Sequence, residues 1–164
     1  MSDKEQRFKE VEENLIEQGF KIKEQDLERP WGGFFVIEED QSKEFIQAYF
    51  DDVDINEINI SGRLSPKILL VEPGKRLSWQ YHHRRAEIWQ IIDGPVGVVK
   101  SISDEQKPIK EYKKGEKVIL KQGERHRLVG LENWGVVAEI WQHVYSDHLS
   151  NEKDIVRLED DFGR

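Results

Sequence analysis

The sequence contains no cysteine, and this absence limits the chemistry open to its 164 residues. Neither a disulfide framework nor a thiolate metal site can form, so any bound metal must take nitrogen and oxygen ligands. Long hydrophobic runs are also missing, because no stretch approaches the roughly 18 apolar residues of a membrane span. The charged first residues lead into no apolar segment of the secretory type. We therefore expect a cytoplasmic protein that binds no membrane.

The chain has fewer basic than acidic residues, with 25 Lys and Arg against 33 Asp and Glu, and its formal net charge is −8. The cations are interspersed with carboxylates and form no basic stripe of the kind that nucleic-acid-binding proteins show. We therefore expect no nucleic-acid partner. A small anionic ligand remains compatible with this composition if a few cations converge inside a pocket.

The pattern of apolar and turn residues changes near Gly62. Before it, apolar residues at helical spacing predict a helix over 3–18, a second over 42–50 with Ser42 as its N-cap, and a third helical turn near 54–58. After it, short apolar or alternating runs are separated by turn residues, which indicates an all-β sandwich or barrel. The predicted strands span 67–71, 77–82, 88–92, 96–102, 109–112, 117–120, 125–129 and 136–144.

No repeat or linker divides the chain, so we predict one domain over 1–164. Within it we expect an N-terminal helical extension over 1–28, a helical insertion over about 40–64 and a barrel core over 65–146. The helices should pack on the outside of the barrel.

The most informative stretch for chemistry lies between two glycines, at 74 and 94. Side chains alternate faces along a strand, so Gln80 and His82 should point the same way. A turn through residues 84–85 would then bring Glu87 alongside them. His126 follows a second turn and supplies a fourth nitrogen or oxygen ligand for a first-row divalent ion. From spacing alone, a metal site and an ordinary structural histidine pair are equally open.

Two motifs resemble those of the cupin superfamily. The spacing Gly74-x5-Gln80-x-His82-x4-Glu87-x6-Gly94 is similar to the first cupin motif, with Gln80 in place of its usual first histidine. The spacing from residue 115 to His126 is similar to the second motif, although it lacks that motif's proline and asparagine.

The cupin resemblance implies a jelly-roll barrel, that is, a double-stranded β-helix, with one divalent metal in its mouth. Its ligands would be Gln80, His82, Glu87 and His126. Zinc is the ion we expect first, with manganese, cobalt, nickel and iron as alternatives. Many cupins pair through edge strands, so a homodimer is the expectation by analogy.

Three segments, 29–32, 73–89 and 154–164, resemble the isomerase domain of type II mannose-6-phosphate isomerases. The resemblance runs from about residue 29, is interrupted by the insertion, and departs from the family at Arg84, where a third consecutive histidine is usual. It implies a metal-dependent aldose–ketose isomerase acting on a sugar phosphate, most directly mannose-6-phosphate and fructose-6-phosphate.

The same resemblance implies three further site residues. Glu139 would be the general base of an enediol reaction, and a structural role for it is equally open. Lys67 and Arg157 would contact the phosphate or ring oxygens, and for both a surface ion pair is equally open. Arg125 and Arg127 flank His126, so they should point opposite to it, and they are expected at the surface.

Two other functions remain open at this point. The first is a metal-containing cupin that binds a sugar or sugar phosphate without converting it. The second is a cupin oxygenase, against which Gln80 in place of a histidine counts. Trp79, Trp89 and Trp141 fall on predicted strands, where filling the barrel is favoured over stacking on a sugar ring.

Overall fold

The computed structural model describes residues 2–53, 58 and 63–164. Its helical elements are α1 (Asp3–Glu17), a short 3₁₀ turn (Glu39–Gln41) and α2 (Ser42–Tyr49). Its strands are β1 (Ile22–Arg29), β2 (Gly32–Ile37), β3 (Lys67–Val71), β4 (Trp79–Tyr81), β5 (Arg85–Asp93), β6 (Val96–Ser101), β7 (Lys110–Tyr112), β8 (Lys117–Leu120), β9 (Arg125–Gly130), β10 (Gly135–His143) and β11 (Val156–Glu159).

The strands form two antiparallel sheets. One has the order β1-β2-β3-β10-β5-β8 and the other the order β11-β4-β9-β6-β7. Between them lies an apolar core to which both sheets contribute, for example Leu69, Trp89 and Val137 from the first and Val98 and Leu128 from the second. This arrangement confirms the predicted jelly-roll barrel.

The outer face of the six-stranded sheet is covered by the helices. Phe8 and Leu15 of α1 and Phe45 of α2 belong to the same buried cluster as Phe35 of β2 and Ile140 of β10. Burying this second apolar layer makes β2, β3 and β10 buried on both faces, as their burial patterns show. The prediction of helices packed outside the barrel is therefore confirmed.

Several predicted boundaries need correction. The helical extension ends at Glu17, because Ile22–Arg29 forms β1 and pairs with β2. The barrel is also wider than 65–146, since β1, β2 and β11 belong to its sheets. These three strands escaped the sequence pattern because β1 and β11 contain no fully buried residue and β2 is buried on both faces, so none alternates cleanly.

The helical insertion also differs in detail from its prediction. Ser42 does not act as a side-chain cap, because Gln41 occupies the N-cap position and the Ser42 hydroxyl donates back to the Glu39 carbonyl at 2.6 Å. The turn predicted near 54–58 falls mostly on 54–57, which lie outside the described residues; Ile58 is buried in the helix-facing cluster. No helix in the described part of the chain is long and apolar enough to cross a bilayer.

Strand register places the predicted site residues in two short rows. In the six-stranded sheet Glu139 lies opposite both Lys67 and Trp89. In the other sheet Gln80 lies opposite both His126 and Arg157. Residues directly opposite each other in an antiparallel pair project from the same face, so each row presents its side chains together.

Gly32 provides a test of how tightly β2 and β3 approach each other. Its φ is +148°, and a Cβ there would collide with the backbone carbonyl of Leu70. Gly19, with φ +91°, has open space around the corresponding position. Gly19→Ala should therefore cost about 1–2 kcal/mol, the usual penalty for a side chain at positive φ. Gly32→Ala should lower the free energy of unfolding by clearly more, as measured by urea denaturation, and equal losses would contradict this packing.

Candidate metal centre

Three potential metal ligands meet in the buried interior between the sheets. His82, Glu87 and His126 each offer a donor atom, and these atoms lie within 4.8 Å of one another. The Nε2 of His82 is 3.3 Å from Oε2 of Glu87, and the Nε2 of His126 is 3.6 Å from Oε1 of the same carboxylate. All three side chains are at most 3% exposed. Two imidazoles and a carboxylate in this arrangement suit a first-row divalent ion.

The hydrogen bonds of the two histidines prepare their Nε2 atoms for a metal. His82 Nδ1 lies 2.7 Å from the Asp154 carbonyl, and His126 Nδ1 lies 3.0 Å from the Glu124 carbonyl. A carbonyl only accepts, so each Nδ1 carries the proton and each Nε2 keeps its lone pair. Within the described residues the buried Nε2 of His126 has no hydrogen-bond partner. A bound cation would satisfy that atom, so the residues present fit a metal.

Burial also keeps these histidines in the neutral form that binds metals. It lowers the pKa of His82 to about 4, against the opposing attraction of the Glu87 carboxylate. The pKa of His126 is lowered as well, again mainly by burial. Both imidazoles are therefore unprotonated at neutral pH.

Gln80 completes the predicted ligand set. It lines the same cavity as His82 and Glu87 and lies opposite His126 across the β4–β9 pair. Its Oε1 accepts a hydrogen bond of 2.6 Å from the Ser78 hydroxyl. An amide oxygen has two lone pairs, so this bond orients Gln80 and leaves one lone pair for a cation.

Arg85 is a site residue that sequence reasoning placed in a turn. It begins β5, is buried, and donates from Nε to Oε2 of Glu87 at 2.8 Å. Its guanidinium also stacks 3.7 Å from the ring centroid of Trp141 and approaches His82 Nε2 at 3.3 Å. The signal that could have found it is strand alternation, which puts residues 85, 87 and 89 on one face.

Glu139 is buried in the same cavity, and its proton affinity is altered. Burial, followed by the negative charge of Glu87, raises its pKa to about 7, while the charges of Lys67 and Arg85 oppose the rise. Trp141 Nε1 donates to its Oε1 at 2.6 Å and fixes the carboxyl in place. This carboxyl can therefore gain or lose a proton near neutral pH.

Lys67 and Arg157 both line this cavity, at different depths. Lys67 is buried, lies 4.6 Å from the Phe34 ring centroid and pairs with Glu152 at 2.8 Å. Arg157 is exposed at the opening. Lys67 thus sits among the buried site residues, and Arg157 stands at the rim.

The cavity around these residues has a volume of about 90 Å³. A larger one of about 390 Å³ lies between α1 and the six-stranded sheet, but none of its described lining residues is a histidine. We take the smaller cavity as the functional site, because it alone of the two holds convergent metal donors and a carboxyl of raised pKa.

The structure confirms some of the predicted positions of the tryptophans and arginines near the site and corrects others. Trp79 alternates with the cavity-facing Gln80 and packs against Val99 and Val129 in a separate cluster on the outer face of the five-stranded sheet, so the prediction that it fills the barrel is wrong. Trp89 and Trp141 contribute polar contacts to the site, because their indole N–H groups donate hydrogen bonds to Glu87 and Glu139 respectively. Arg127 was expected at the surface and is fully buried. It faces away from the metal centre, as predicted, but the C-terminal segment covers that face and supplies Glu159 at 3.3 Å.

Comparison with known proteins identifies the family. The sequence matches the model described as mannose-6-phosphate isomerase C-terminal over residues 44–160. The chain belongs to this mannose-6-phosphate isomerase C-terminal family. It is 32% identical to mannose-1-phosphate guanylyltransferase ManC of Salmonella typhimurium, over 85% of this chain and 23% of that protein. It is 31% identical to alginate biosynthesis protein AlgA of Pseudomonas aeruginosa, over 99% of this chain and 28% of that protein.

The matches also show how much of this chain, and of its relatives, the similarity covers. The chain spans about a quarter of the length of these curated relatives. The alignment with AlgA reaches across almost the whole chain, so the similarity begins well before residue 29, where the sequence motifs placed its start. The insertion over 40–64 lies largely inside the matched range of the family.

Solved structures confirm the cupin fold. The capsular polysaccharide assembling protein CapF of Staphylococcus aureus matches with a TM-score of 0.56 and 16% identity, over 83% of this chain and 34% of that one. Oxalate decarboxylase of Bacillus subtilis matches with a TM-score of 0.55 and 18% identity, over 82% of this chain and 30% of that one. Both are cupins, and the mannose-6-phosphate isomerase C-terminal family member described here is a cupin related to enzymes of sugar metabolism.

Metal binding by this family member should depend on His126. We expect the wild-type chain to bind one divalent ion. Loss of a partner that only hydrogen-bonds to a metal ligand weakens metal affinity by about 10–100-fold, and His126→Ala should weaken it by more. The measurement is a competition titration against a chelator of known affinity. His83→Ala is the matched control, because His83 is exposed and outside the donor set. Equal loss in both variants would contradict the site.

The raised pKa of Glu139 predicts a pH-dependent stability. The unfolded chain releases this proton near the ordinary value of 4.5 and the folded chain near 7. Between these values the folded state binds more protons, so the contribution of Glu139 to stability falls as pH rises. Glu139→Gln should gain stability relative to wild type across this window, by on the order of 3 kcal/mol. Urea denaturation of chelator-treated proteins measures this difference, and a constant difference would be the contrary result.

Proposed function

We propose that this chain is a metal-dependent aldose–ketose isomerase of sugar phosphates that interconverts mannose-6-phosphate and fructose-6-phosphate. The observation that carries the proposal is a carboxyl with a pKa of about 7, Glu139, sharing one cavity with a set of metal donors. Aldose–ketose isomerisation needs both parts: a base that moves a proton between adjacent carbons and an electrophile that stabilises the oxyanion.

In this proposal Glu139 is the base. It removes a proton from the carbon next to the carbonyl and delivers it to the former carbonyl carbon, by way of an enediol. The hydroxyl proton of the first carbon passes to the former carbonyl oxygen, so that the reaction balances. A base with a pKa near the working pH is suited to both transfers, because it accepts and returns the proton with little driving force lost. The hydrogen bond from Trp141 holds the carboxyl in one orientation through both steps.

Gln80, His82, Glu87 and His126 would hold the metal, with zinc as the ion we expect first. When bound, a divalent ion supplies a Lewis acid for the negative charge that develops on the sugar oxygens. Arg85 takes one oxygen of Glu87 in a hydrogen bond and so directs the other toward His126. Lys67, at the opposite side of Glu139, adds a cation that favours the ionised form of this base.

The family supports this proposal, and the names of the longer relatives bear on it less directly. The matched family is described as mannose-6-phosphate isomerase C-terminal. The guanylyltransferase name belongs to ManC as a whole, of which this chain spans 23%. We therefore assign the isomerase reaction, and not nucleotidyl transfer, to the cupin described here.

A coupled assay for fructose-6-phosphate formation from mannose-6-phosphate tests the reaction. We expect activity that is lost with a chelator and restored by Zn²⁺, Mn²⁺ or Co²⁺. Glu139→Gln should lower kcat by about 10²–10⁴-fold, the usual contribution of a general base. At saturating metal its metal stoichiometry should be unchanged, since Glu139 is not among the donors. Glu132→Gln, an exposed change of the same kind, is the control.

A non-catalytic binding protein would give a different result. The sugar phosphate would then raise the melting temperature of the metal-loaded chain without any conversion of mannose-6-phosphate or of related hexose and heptose phosphates. That outcome would replace the isomerase proposal with the binding function.

A further inference from the structure

Arg85 contacts two of the candidate metal ligands through the same atoms that would bind a metal. Its Nε donates to Oε2 of Glu87 at 2.8 Å, and its Nη2 lies 3.3 Å from Nε2 of His82. Because Nδ1 of His82 faces a carbonyl and carries the ring proton, Nε2 can only accept from the guanidinium. The lone pairs that Arg85 engages are therefore lone pairs that a divalent ion also needs.

The guanidinium covers one side of the ligand set and leaves the other side open. Within the described residues, Nε2 of His126 has no hydrogen-bond partner. The Oε1 of Glu87 lies 3.6 Å from that nitrogen and accepts from the neutral indole of Trp89 at 3.2 Å. An entering ion would thus meet open ligands on the His126 side and a resident cation on the His82 side.

Arg85 also has contacts that involve none of the candidate ligands. Its Nη1 donates to the Ser150 hydroxyl at 2.9 Å and to the Asn151 carbonyl at 3.1 Å. Its guanidinium carbon lies 3.7 Å from the ring centroid of Trp141. A guanidinium that withdraws from His82 and Glu87 would keep these partners, so its release would not leave an isolated charge in the interior.

Charge acts in the same direction as the shared lone pairs. Arg85 is 6% exposed and Glu87 is 3% exposed, so their charges interact in a poorly screened interior. The guanidinium already compensates the carboxylate, and a divalent ion placed beside it would meet a like charge. Both effects make metal binding weaker than the imidazoles and the carboxylate alone would make it.

We propose that Arg85 competes with the metal for His82 and Glu87 and thereby sets the metal affinity of the site. Because Nε and Nη2 belong to one rigid plane, releasing Nη2 from His82 also loosens the bond from Nε to Glu87. The guanidinium then stays on Ser150, Asn151 and Trp141. The proposal rests on the metal site of the proposed function and does not depend on the isomerase reaction.

The competition predicts the opposite of what an ordinary supporting residue would show. Loss of a partner that only orients a metal ligand weakens metal affinity by about 10–100-fold. Arg85→Met removes the charge and the donors at similar side-chain length, and it should tighten Zn²⁺ binding by about tenfold or more. That gain corresponds to one hydrogen bond of a charged group. A competition titration against a chelator of known affinity measures it.

Arg84→Met is the matched control. It removes the same charge one residue earlier, from a half-buried side chain that does not line the cavity, and should bind Zn²⁺ like wild type. Arg85→Lys keeps the charge but loses the planar fork that reaches two ligands, so its affinity should lie between wild type and Arg85→Met. Melting temperatures with and without Zn²⁺ check folding, and Arg85→Met should gain more from Zn²⁺ than wild type does.

A measurement on the wild-type chain tests the proposal even if Arg85→Met does not fold. In ¹⁵N-labelled protein the Nε–H of Arg85 should exchange with solvent faster once Zn²⁺ is bound, because its bond to Glu87 is loosened. The Arg85→Lys spectrum assigns the signal. An arginine that only supports the fold would show no such acceleration.

The outcomes separate this proposal from the proposed function. Equal or weaker Zn²⁺ binding by Arg85→Met, or an Nε–H whose exchange Zn²⁺ does not change, overturns the competition even if the chain is an isomerase. Tighter binding by Arg85→Met in a chain that converts no sugar phosphate supports the competition and overturns the isomerase proposal. Absence of Zn²⁺ binding in both wild type and Arg85→Met overturns the competition together with the metal site.

Discussion

The site is organised around one buried carboxylate, that of Glu87. Removing an ion of this size from water costs several kcal/mol, and burial alone would raise its pKa. Arg85, His82 and His126 outweigh that effect and lower the pKa to about 2. Arg85 and Trp89 donate to its two oxygens, and both imidazoles turn their Nε2 atoms toward it. The presence of a buried guanidinium, and the orientation of the histidines, follow from keeping this group ionised in a dry interior.

The C-terminal segment is the second element on which the site depends. Asp154 accepts hydrogen bonds from the backbone N–H groups of His83 and Arg84, both at 2.9 Å, and its own carbonyl fixes Nδ1 of His82. One residue therefore closes the β4–β5 turn and sets the tautomer of a candidate metal ligand. The same segment continues into β11, which carries Arg157 to a position opposite Gln80. The contacts that anchor the C-terminal segment therefore also position the residues at the mouth of the cavity.

The sequence was most informative where a single periodicity and a single environment applied. Lys67–Val71 and Lys117–Leu120 were predicted to the residue, and alternation correctly grouped Gln80 with His82. Prediction failed where another part of the chain changed the environment. Arg127 points away from the candidate metal centre, as alternation requires, but the C-terminal segment buries that face. Arg85 seemed to belong to a turn because its partner, the ring of Trp141, lies more than fifty residues away in the sequence. Such long-range contacts leave no local pattern to read.

The two glutamates at the floor divide the chemistry between them, because the same dry interior acts on them differently. Glu87 has a guanidinium and two imidazoles as neighbours, and its pKa falls to about 2. For Glu139, burial and then the like charge of Glu87 raise the pKa to about 7. The carboxylate that stays ionised at every working pH is fitted to hold a cation, and the one poised near neutrality is fitted to move a proton. Because the charge of Glu87 adds to the effect of burial on the pKa of Glu139, the proposed ligand set and the proposed base depend on each other. A cation bound at Glu87 would offset part of its negative charge and so lower the pKa of Glu139. More of the Glu139 carboxyl would then be ionised at neutral pH, so metal loading and the protonation of Glu139 are coupled through one electrostatic interaction.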